Sequence, residues 1–471
     1  MSQFNSKEYY EDNRFAQNVA LLIVCLGSFL NPLILSSVLV AIPSIADDLR
    51  ADAVLVGWIP TSFLLTTVVL MLPFGKLSDM YGRKRVYLIG VIVVSVASFL
   101  ASQSPNIEWL LVCRVLQGIG AAQTVGSGMA IISAVYPKEK RGAALGFIAT
   151  AVYIGLTSGP LLGGLLTDWF GWRSVFLFHV PLSAIVAVLT LWKLKGEWKL
   201  DIRPRFDWVG SLIFASAAIL VLLGLSSMPS WPGALMLVAS VGCCYAFNKH
   251  QSHIPDPLVN MPALKLNRIF SFSLIAAFLL YTAIFPTAFL LSLYLQYIKG
   301  ISPTLAGQFL ITQAVIMAIL APITGRLSDR YEPRLLTSFG ALLVAAGFAM
   351  LLRINYETPN YFVVVSQVLL GIGIGCFTTP NNNAALGSLK KAGLGIASAM
   401  LNLARTLGNM IGMGLATMII AIMVGNQLIE PDNYNQLLTA IKISFGLSFC
   451  FAIVAAFYSY VRGKVHEKEI E

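Results

Sequence analysis

The residues able to do chemistry in this chain are few and far apart. Arg114 and Arg405 each interrupt an apolar stretch. A permanent charge in such a place is costly and faces a polar cavity or partner, unless it snorkels to the surface. For Arg405, Asn402 and Asn409 are candidate local partners. A second group is Asp79 with the basic run Arg83-Lys84-Arg85, flanked by Gly75 and Gly82. An acid beside several bases either makes ion pairs or fixes which side of a membrane the loop occupies. His179 could carry a proton or serve as a hydrogen-bonded structural histidine. His250, His253 and Asp256 lack the further ligands of a zinc site, and the six cysteines lie in apolar stretches without CxxC spacing. No metal, disulfide or cofactor is expected. The sequence has no HExxH motif and no paired intramembrane aspartates, so an enzyme is not expected either.

The elements that must position these residues follow from composition. The 471 residues are 57% hydrophobic and 11% charged, with a mean hydropathy of +0.77. Soluble domains carry about 25% charged residues, so the chain is an integral membrane protein and not a soluble enzyme or nucleic-acid-binding protein. A helix needs about 20 apolar residues to cross a bilayer. Charge-free runs occur at 15–46, 53–75, 86–107, 115–137, 142–167, 174–192, 208–248, 269–298, 300–325, 335–352, 358–389, 406–429 and 443–461. The run at 208–248 is too long for one span and is broken by the turn sequence Met228-Pro-Ser-Trp-Pro-Gly233, which makes fourteen spans. With the N-terminus in the cytoplasm, 25 of the 32 lysines and arginines fall on that side and four on the other. That bias is the positive-inside rule, and it places both termini in the cytoplasm of a cell-membrane protein. The net charge of +10 is then topology, with no nucleic-acid partner. The first apolar run follows a polar arm and is long enough to span, so it is read as a retained helix and not a cleaved signal.

The two ends of the chain repeat one another. Gly75-Lys-Leu-Ser-Asp-Met-Tyr81 returns as Gly325-Arg-Leu-Ser-Asp-Arg-Tyr331, and Arg114-Val-Leu-Gln-Gly-Ile-Gly120 as Gln367-Val-Leu-Leu-Gly-Ile-Gly373. Gly142 and Gly393 open corresponding helices. The expected organisation is a six-helix bundle over 1–200, an inserted helix pair with its loops over 201–268, and a second six-helix bundle over 269–471. Parallel repeats of this kind place substrate near the bilayer midplane in secondary transporters.

These residues resemble the major facilitator superfamily, and within it the fourteen-span drug:proton antiporter branch. The resemblance covers essentially the whole chain. Gly75-Lys-Leu-Ser-Asp-Met-Tyr-Gly-Arg-Lys-Arg85 is similar to the signature loop between spans 2 and 3, Arg114 with Gln117, Gly118 and Gly120 to the span 4 motif, and Gly155-Leu-Thr-Ser-Gly-Pro-Leu-Leu-Gly-Gly164 to the span 5 antiporter motif. Softer echoes are Trp172-Arg173, Phe206-Asp-Trp-Val-Gly210, and Tyr294-Leu-Gln296 with Ser302-Pro303. The resemblance implies a major facilitator fold that exports small amphipathic molecules by rocking of two bundles. Asp79 and Arg83 would latch the cytoplasmic ends of the two halves together in the outward-facing state, with Gly325 and Asp329 as the second-half counterparts of Gly75 and Asp79. An importer of an organic anion or vitamin-like nutrient, and a sensor without transport, remain alternatives. Protons are the candidate coupling ion, and a monomer is expected.

Within those motifs, Gly75 is read as permitting a tight helix exit. Gly155, Gly159 and Gly163 share one helical face suited to close approach, and Pro160 removes the hydrogen bond to the Leu156 carbonyl. That face is expected at the interface of the two bundles, as a pivot or seal. Met410 and Ile411 are read as the second-half equivalents of Gly159 and Pro160, which makes the device one-sided. Polar and aromatic residues inside apolar spans mark a candidate cavity wall: Asn31, Gln123, Tyr153, Tyr281, Gln296, Gln313 and Asn381 to Asn383, with Asn382 at the centre of that triplet. All 22 acids fall in loops, tails or helix ends. The antiporter branch commonly carries an aspartate in span 1, and here Asn31-Pro-Leu-Ile-Leu-Ser-Ser-Val-Leu-Val40 has none. Asp168 and Asp207 are the acids nearest to serving instead.

Overall fold

The computed structural model describes residues 10, 13–137, 141–199, 206–255, 257–259, 267–328, 330–389 and 394–464. Among them are fourteen helices long and apolar enough to cross a membrane, and no strand. The first six are α1 (Arg14–Leu49), α2 (Ala53–Tyr81), α3 (Arg83–Ser102), α4 (Ile107–Val135), α5 (Arg141–Phe170) and α6 (Arg173–Lys193). Next come α7 (Trp208–Ser226) and α8 (Trp231–Gln251), split where the Pro and Gly residues predicted a turn. The last six are α9 (Arg268–Ile298), α10 (Pro303–Ser328), α11 (Pro333–Leu351), α12 (Asn360–Gly387), α13 (Leu394–Met423) and α14 (Tyr434–Val461). The protein is an all-α polytopic membrane protein.

Local chemistry sets several helix ends. Asn106 starts α4 by accepting the Trp109 N–H at 2.9 Å, and Asn267 starts α9 by accepting that of Phe270 at 3.1 Å. Two helices are interrupted: α6 at Phe178, and α9 at Phe285, before Pro286, which has no N–H to give the carbonyl one turn back. Helix α9 ends in a π turn over Tyr294–Ile298.

Chain packing divides the residues into two units. The first holds residues 1–49, 58–221 and 238–259, and the second holds 50–57, 222–237 and 260–471. The same backbone contact recurs inside each. A Cβ on Gly90 of α3 would lie 2.8 Å from the Gly120 carbonyl oxygen of α4, and one on Gly340 of α11 would lie 2.5 Å from that of Gly373 on α12. Glycine at both positions lets each helix pair approach to backbone contact, so the sequence repeat is also a repeat of packing.

One expectation about a helix end is corrected. Gly75 lies within α2, which continues to Tyr81, and the chain turns instead at Gly82, where φ is +114°. The close approach here depends on Gly126 of α4, where a Cβ would stand 3.2 Å from the Gly75 backbone, whereas a Cβ on Gly75 itself would meet nothing within 4 Å. Gly325 of α10 differs from Gly75 in this respect, since a Cβ there would lie 2.9 Å from Thr379 Cγ2 of α12.

Candidate functional site

In the first unit Arg114 is fully buried. Its Nε donates to the Ile59 carbonyl of α2 at 3.0 Å and its Nη1 to Gln117 Oε1 at 2.7 Å, while the guanidinium carbon sits 4.7 Å from the Phe63 ring centre. Gln117 extends the chain of bonds to Ser98 Oγ of α3 at 3.0 Å. Arg114 Nη2 has no hydrogen-bond partner. The acceptors are all neutral, so the charge is solvated by dipoles without an ion pair and leaves a positive potential in the bundle. Gln367 occupies the corresponding place in the second unit, buried, with Oε1 unpartnered.

Arg405 of α13 is half-buried and donates through Nη2 to Asn402 Oδ1 at 2.5 Å. Asn409, the other expected partner, has a buried Oδ1 with no bond. The Arg405 guanidinium lies 5.9 Å from the Tyr281 ring centre, and Tyr281 Oη is 3.4 Å from Thr378 Oγ1. Arg405 and Tyr281 therefore meet beside α12.

The remaining cavity candidates scatter. Asn31 Nδ2 donates to Thr124 Oγ1 at 2.8 Å, next to Gln123, whose Oε1 is buried without a partner. Tyr153, Gln313 and Asn382 are half-buried on α5, α10 and α12. Gln296 donates to Ser292 Oγ at 2.8 Å within the last turns of α9. Asn381 is buried in packing: its Nδ2 donates to the Ser273 carbonyl at 3.1 Å and its Oδ1 accepts from Arg462 Nη1 at 2.8 Å. Burial pushes the Arg462 guanidinium down to about 10, opposed by the carboxylate of Glu332. His179 is buried, with Nδ1 3.0 Å from the Val175 carbonyl oxygen and Nε2 without a hydrogen-bond partner.

The span 5 motif forms the close contact its spacing predicts, but against a different neighbour. Cβ atoms on Gly155, Gly159 and Gly163 would stand 2.3 Å from the Phe29 carbonyl oxygen, 1.8 Å from Ser36 Oγ and 2.3 Å from the Ser37 carbonyl oxygen. The face is used inside the first unit, on α1. Gly164 is buried beside it and Pro160 lies within the unbroken helix. The second unit has its own version: Cβ atoms on Gly408 and Gly412 would meet the Phe278 and Thr282 carbonyl oxygens of α9 at 2.5 and 2.3 Å. Those glycines, not Met410 and Ile411, correspond to Gly155 and Gly159, while Pro160, Gly163 and Gly164 fall opposite Met413, Ala416 and Thr417 and remain one-sided.

At the α2–α3 turn, Arg83 Nε donates to Asp79 Oδ1 at 2.7 Å and Nη1 to the Ala130 carbonyl of α4 at 2.7 Å. Asp329 lies outside the described residues. Sequence reasoning missed Glu197, whose carboxylate accepts the Lys84 N–H at 2.8 Å across more than a hundred residues of chain. It also missed Asp48, which accepts from Arg173 Nη1 at 2.5 Å and Trp172 Nε1 at 3.0 Å, although the Trp172-Arg173 pair carried a signal.

Asp207 starts α7, accepting the Gly210 N–H at 2.8 Å, with His250 Nε2 at 2.8 Å and Gln251 Nε2 at 2.6 Å. Burial disfavours its charge, but the bonds from His250, Gly210 and Gln251 outweigh this and hold the carboxyl below the usual carboxylate range. His253 Nδ1 is 2.7 Å from the Lys249 carbonyl oxygen, and Asp256 lies outside the described residues. Asp168 is exposed near the end of α5. Every described acid thus stays at a helix end or in a loop.

The family model described as Major Facilitator Superfamily matches residues 24–247 and 273–470. The riboflavin transporter RibZ of Clostridioides difficile (strain 630) is 31% identical over 397 residues, 84% of this chain and 86% of that protein. The multidrug resistance protein Stp of Mycobacterium tuberculosis (strain CDC 1551 / Oshkosh) is 30% identical over 425 residues, 88% of this chain and 78% of that protein. A bacterial homolog of the human lysosomal transporter Spinster, solved in an inward-facing conformation, aligns with a TM-score of 0.68 and 16% identity over 96% of this chain and 97% of that one. For the xylose transporter XylE from E. coli the TM-score is 0.62, with 15% identity over 96% and 98%. At those identities the likeness is one of fold.

Proposed function

Because the chain belongs to the major facilitator superfamily, a family of transporters and not of enzymes, we propose that it exports small amphipathic organic compounds by alternating access. The setting is the cell membrane, with both termini cytoplasmic, a single chain as the working unit and protons as the coupling ion. Relatives named for multidrug resistance support export. Asp79, Arg83, Gly82 and the Gly75 and Gly325 contacts form the motif that controls the change of conformation.

The observation that carries the substrate reading is the charge inside the spans. Arg114 is buried on neutral partners, and no described acid lies in a span interior. A cation entering that environment finds no counter-charge, whereas a neutral or anionic aromatic compound does not need one. A second reading, uptake of a vitamin-like compound, is favoured by the relative named as a riboflavin transporter, and it uses the same electrostatics.

Flux into and out of proteoliposomes under an imposed pH gradient tests both readings. Riboflavin or an anionic aromatic dye should move, ethidium should not, and Arg114→Ala should slow the anionic dye more than riboflavin. Rapid ethidium flux in the purified system overturns the substrate reading. The direction in which the gradient drives riboflavin decides between export and uptake.

A further inference from the structure

We infer that Glu197 is a positioning residue for the α2–α3 turn: its carboxylate caps α3 from a distance and so holds Arg83 against Asp79. The inference rests on the reading of Asp79 and Arg83 as a conformational motif.

The need for a cap arises at Gly82. The first N–H groups of a helix have no partner within it, and the residue before the helix normally supplies a side-chain acceptor. Gly82 has no side chain, and no side chain of its own segment caps α3. Three consecutive donors are instead satisfied by two residues beyond the end of α6. The Arg83 N–H bonds the Trp198 carbonyl at 3.0 Å, the Lys84 N–H bonds Glu197 Oε1 at 2.8 Å, and the Arg85 N–H bonds Glu197 Oε2 at 3.2 Å. An anion at a helix N-terminus also meets the positive end of the helix dipole. The Arg85 side chain adds little, since it is 77% exposed and 3.7 Å away.

Gly82 is required here twice over. Its φ of +114° disfavours any other residue, and a Cβ would lie 2.5 Å from Glu197 Cδ. The capping segment is itself held. Lys84 Nζ donates to the Leu194 carbonyl, and Tyr10 Oη both donates to the Lys195 carbonyl and accepts the Lys195 N–H, each at 3.1 Å. The Tyr10 and Trp198 rings sit 5.4 Å apart, and Gln17 Nε2 of α1 donates to the Tyr10 carbonyl at 2.6 Å. With the first turn of α3 fixed in this way, the Arg83 side chain reaches Asp79 and Ala130 together.

The second half shows why the cap belongs to the first. By the motif register, Glu332 and Pro333 stand where Gly82 and Arg83 do, and Pro333 begins α11. Proline at that place has no N–H to satisfy.

Two measurements on the purified full-length protein test the inference without substrate. Hydrogen exchange at the Lys84 and Arg85 amides should speed up at least tenfold in Glu197→Ala, less in Glu197→Gln, and be restored in part by Glu197→Asp. Unchanged protection in Glu197→Ala overturns the cap. Melting temperatures of Glu197→Gln, Asp79→Asn and the double variant form a cycle. The combined loss should be clearly smaller than the sum of the two, because both act through Arg83. Additive losses overturn the link to Asp79. Neither readout depends on flux, so failure of the conformational reading in a transport assay would be seen separately.

Discussion

Three glycines on one face of α5 meet different atoms of α1, and that difference separates their expected tolerance. Cβ atoms on Gly155 and Gly163 would lie 2.3 Å from backbone carbonyl oxygens, whereas one on Gly159 would meet the Ser36 side chain first and the Leu33 carbonyl oxygen only at 3.1 Å. A serine can be shortened and a carbonyl cannot. Gly163→Ala should therefore cost about 1–3 kcal/mol of stability, as overpacking typically does. Gly159→Ala should cost less and be rescued by Ser36→Gly, while Gly163→Ala is not. Thermal melting of the four proteins checks this, and equal rescue of both would show that the α1–α5 contact has been misassigned. At this scale the sequence was legible where one helix alone decides. The spacing of Gly155, Gly159 and Gly163 announces a close face, and Arg114 in an apolar run announces a buried charge. It was illegible where the partner comes from elsewhere in the chain. Nothing near Asn381 says that Arg462 will take its oxygen, and nothing near Gly82 says that Glu197 will supply the missing cap.

At the scale of elements, the inserted pair and the α2–α3 turn each depend on one acid at a helix start. Asp207 joins the beginning of α7 to His250 and Gln251 at the end of α8. Its pKa is lowered in the folded protein, so the stability it contributes is complete at neutral pH and is lost as pH falls through that lowered value. Asp207→Asn should lower the melting temperature at pH 7, with a cap contributing about 0.5–2 kcal/mol. The difference from the parent should close in strongly acidic solution, where the Asp207 carboxylate is protonated. A difference unchanged to pH 3 would mean the carboxylate charge is irrelevant to the pair. Asp79 predicts a transport effect instead. Asp79→Asn should slow flux severalfold at unchanged expression, because it perturbs one conformation more than the other; undiminished flux would remove Asp79 from the conformational motif. Helix existence was fully legible, since a span advertises itself by length and hydropathy. Register between halves was not: an offset read from one motif placed Met410 and Ile411 opposite Gly159 and Pro160. A two-residue shift, to the offset that relates Arg114 to Gln367, brings Gly408 and Gly412 into line with Gly155 and Gly159.

For the molecule as a whole, two statements of different origin meet in the topology. Fourteen helices long and apolar enough to cross a membrane follow one another among the described residues, and if each crosses, alternate connections emerge on opposite sides. Lysine and arginine divide between those two sets of connections as 25 to four when the N-terminus is cytoplasmic. The charge bias predicts the side, because basic loops are preferentially retained on the cytoplasmic face. Ser230, in the turn between α7 and α8, and Asp432, just before α14, then belong outside, while Lys199, after α6, belongs inside, as does Lys390, which lies outside the described residues. Single cysteines at these four positions, in a chain whose six native cysteines are replaced, should divide cleanly under a membrane-impermeant maleimide added to intact cells. Positions 230 and 432 should label, and positions 199 and 390 should label only after the membrane is opened. The result at 199 and 230 decides most, because those positions flank the inserted pair. If α7 and α8 were laid along the surface instead of crossing, position 230 would stay protected with 199, and the first and last six helices would still obey the charge rule. Labelling at 199 in intact cells would reverse the orientation of the first half and, with it, the assignment of the Asp79–Arg83 turn to the cytoplasmic side.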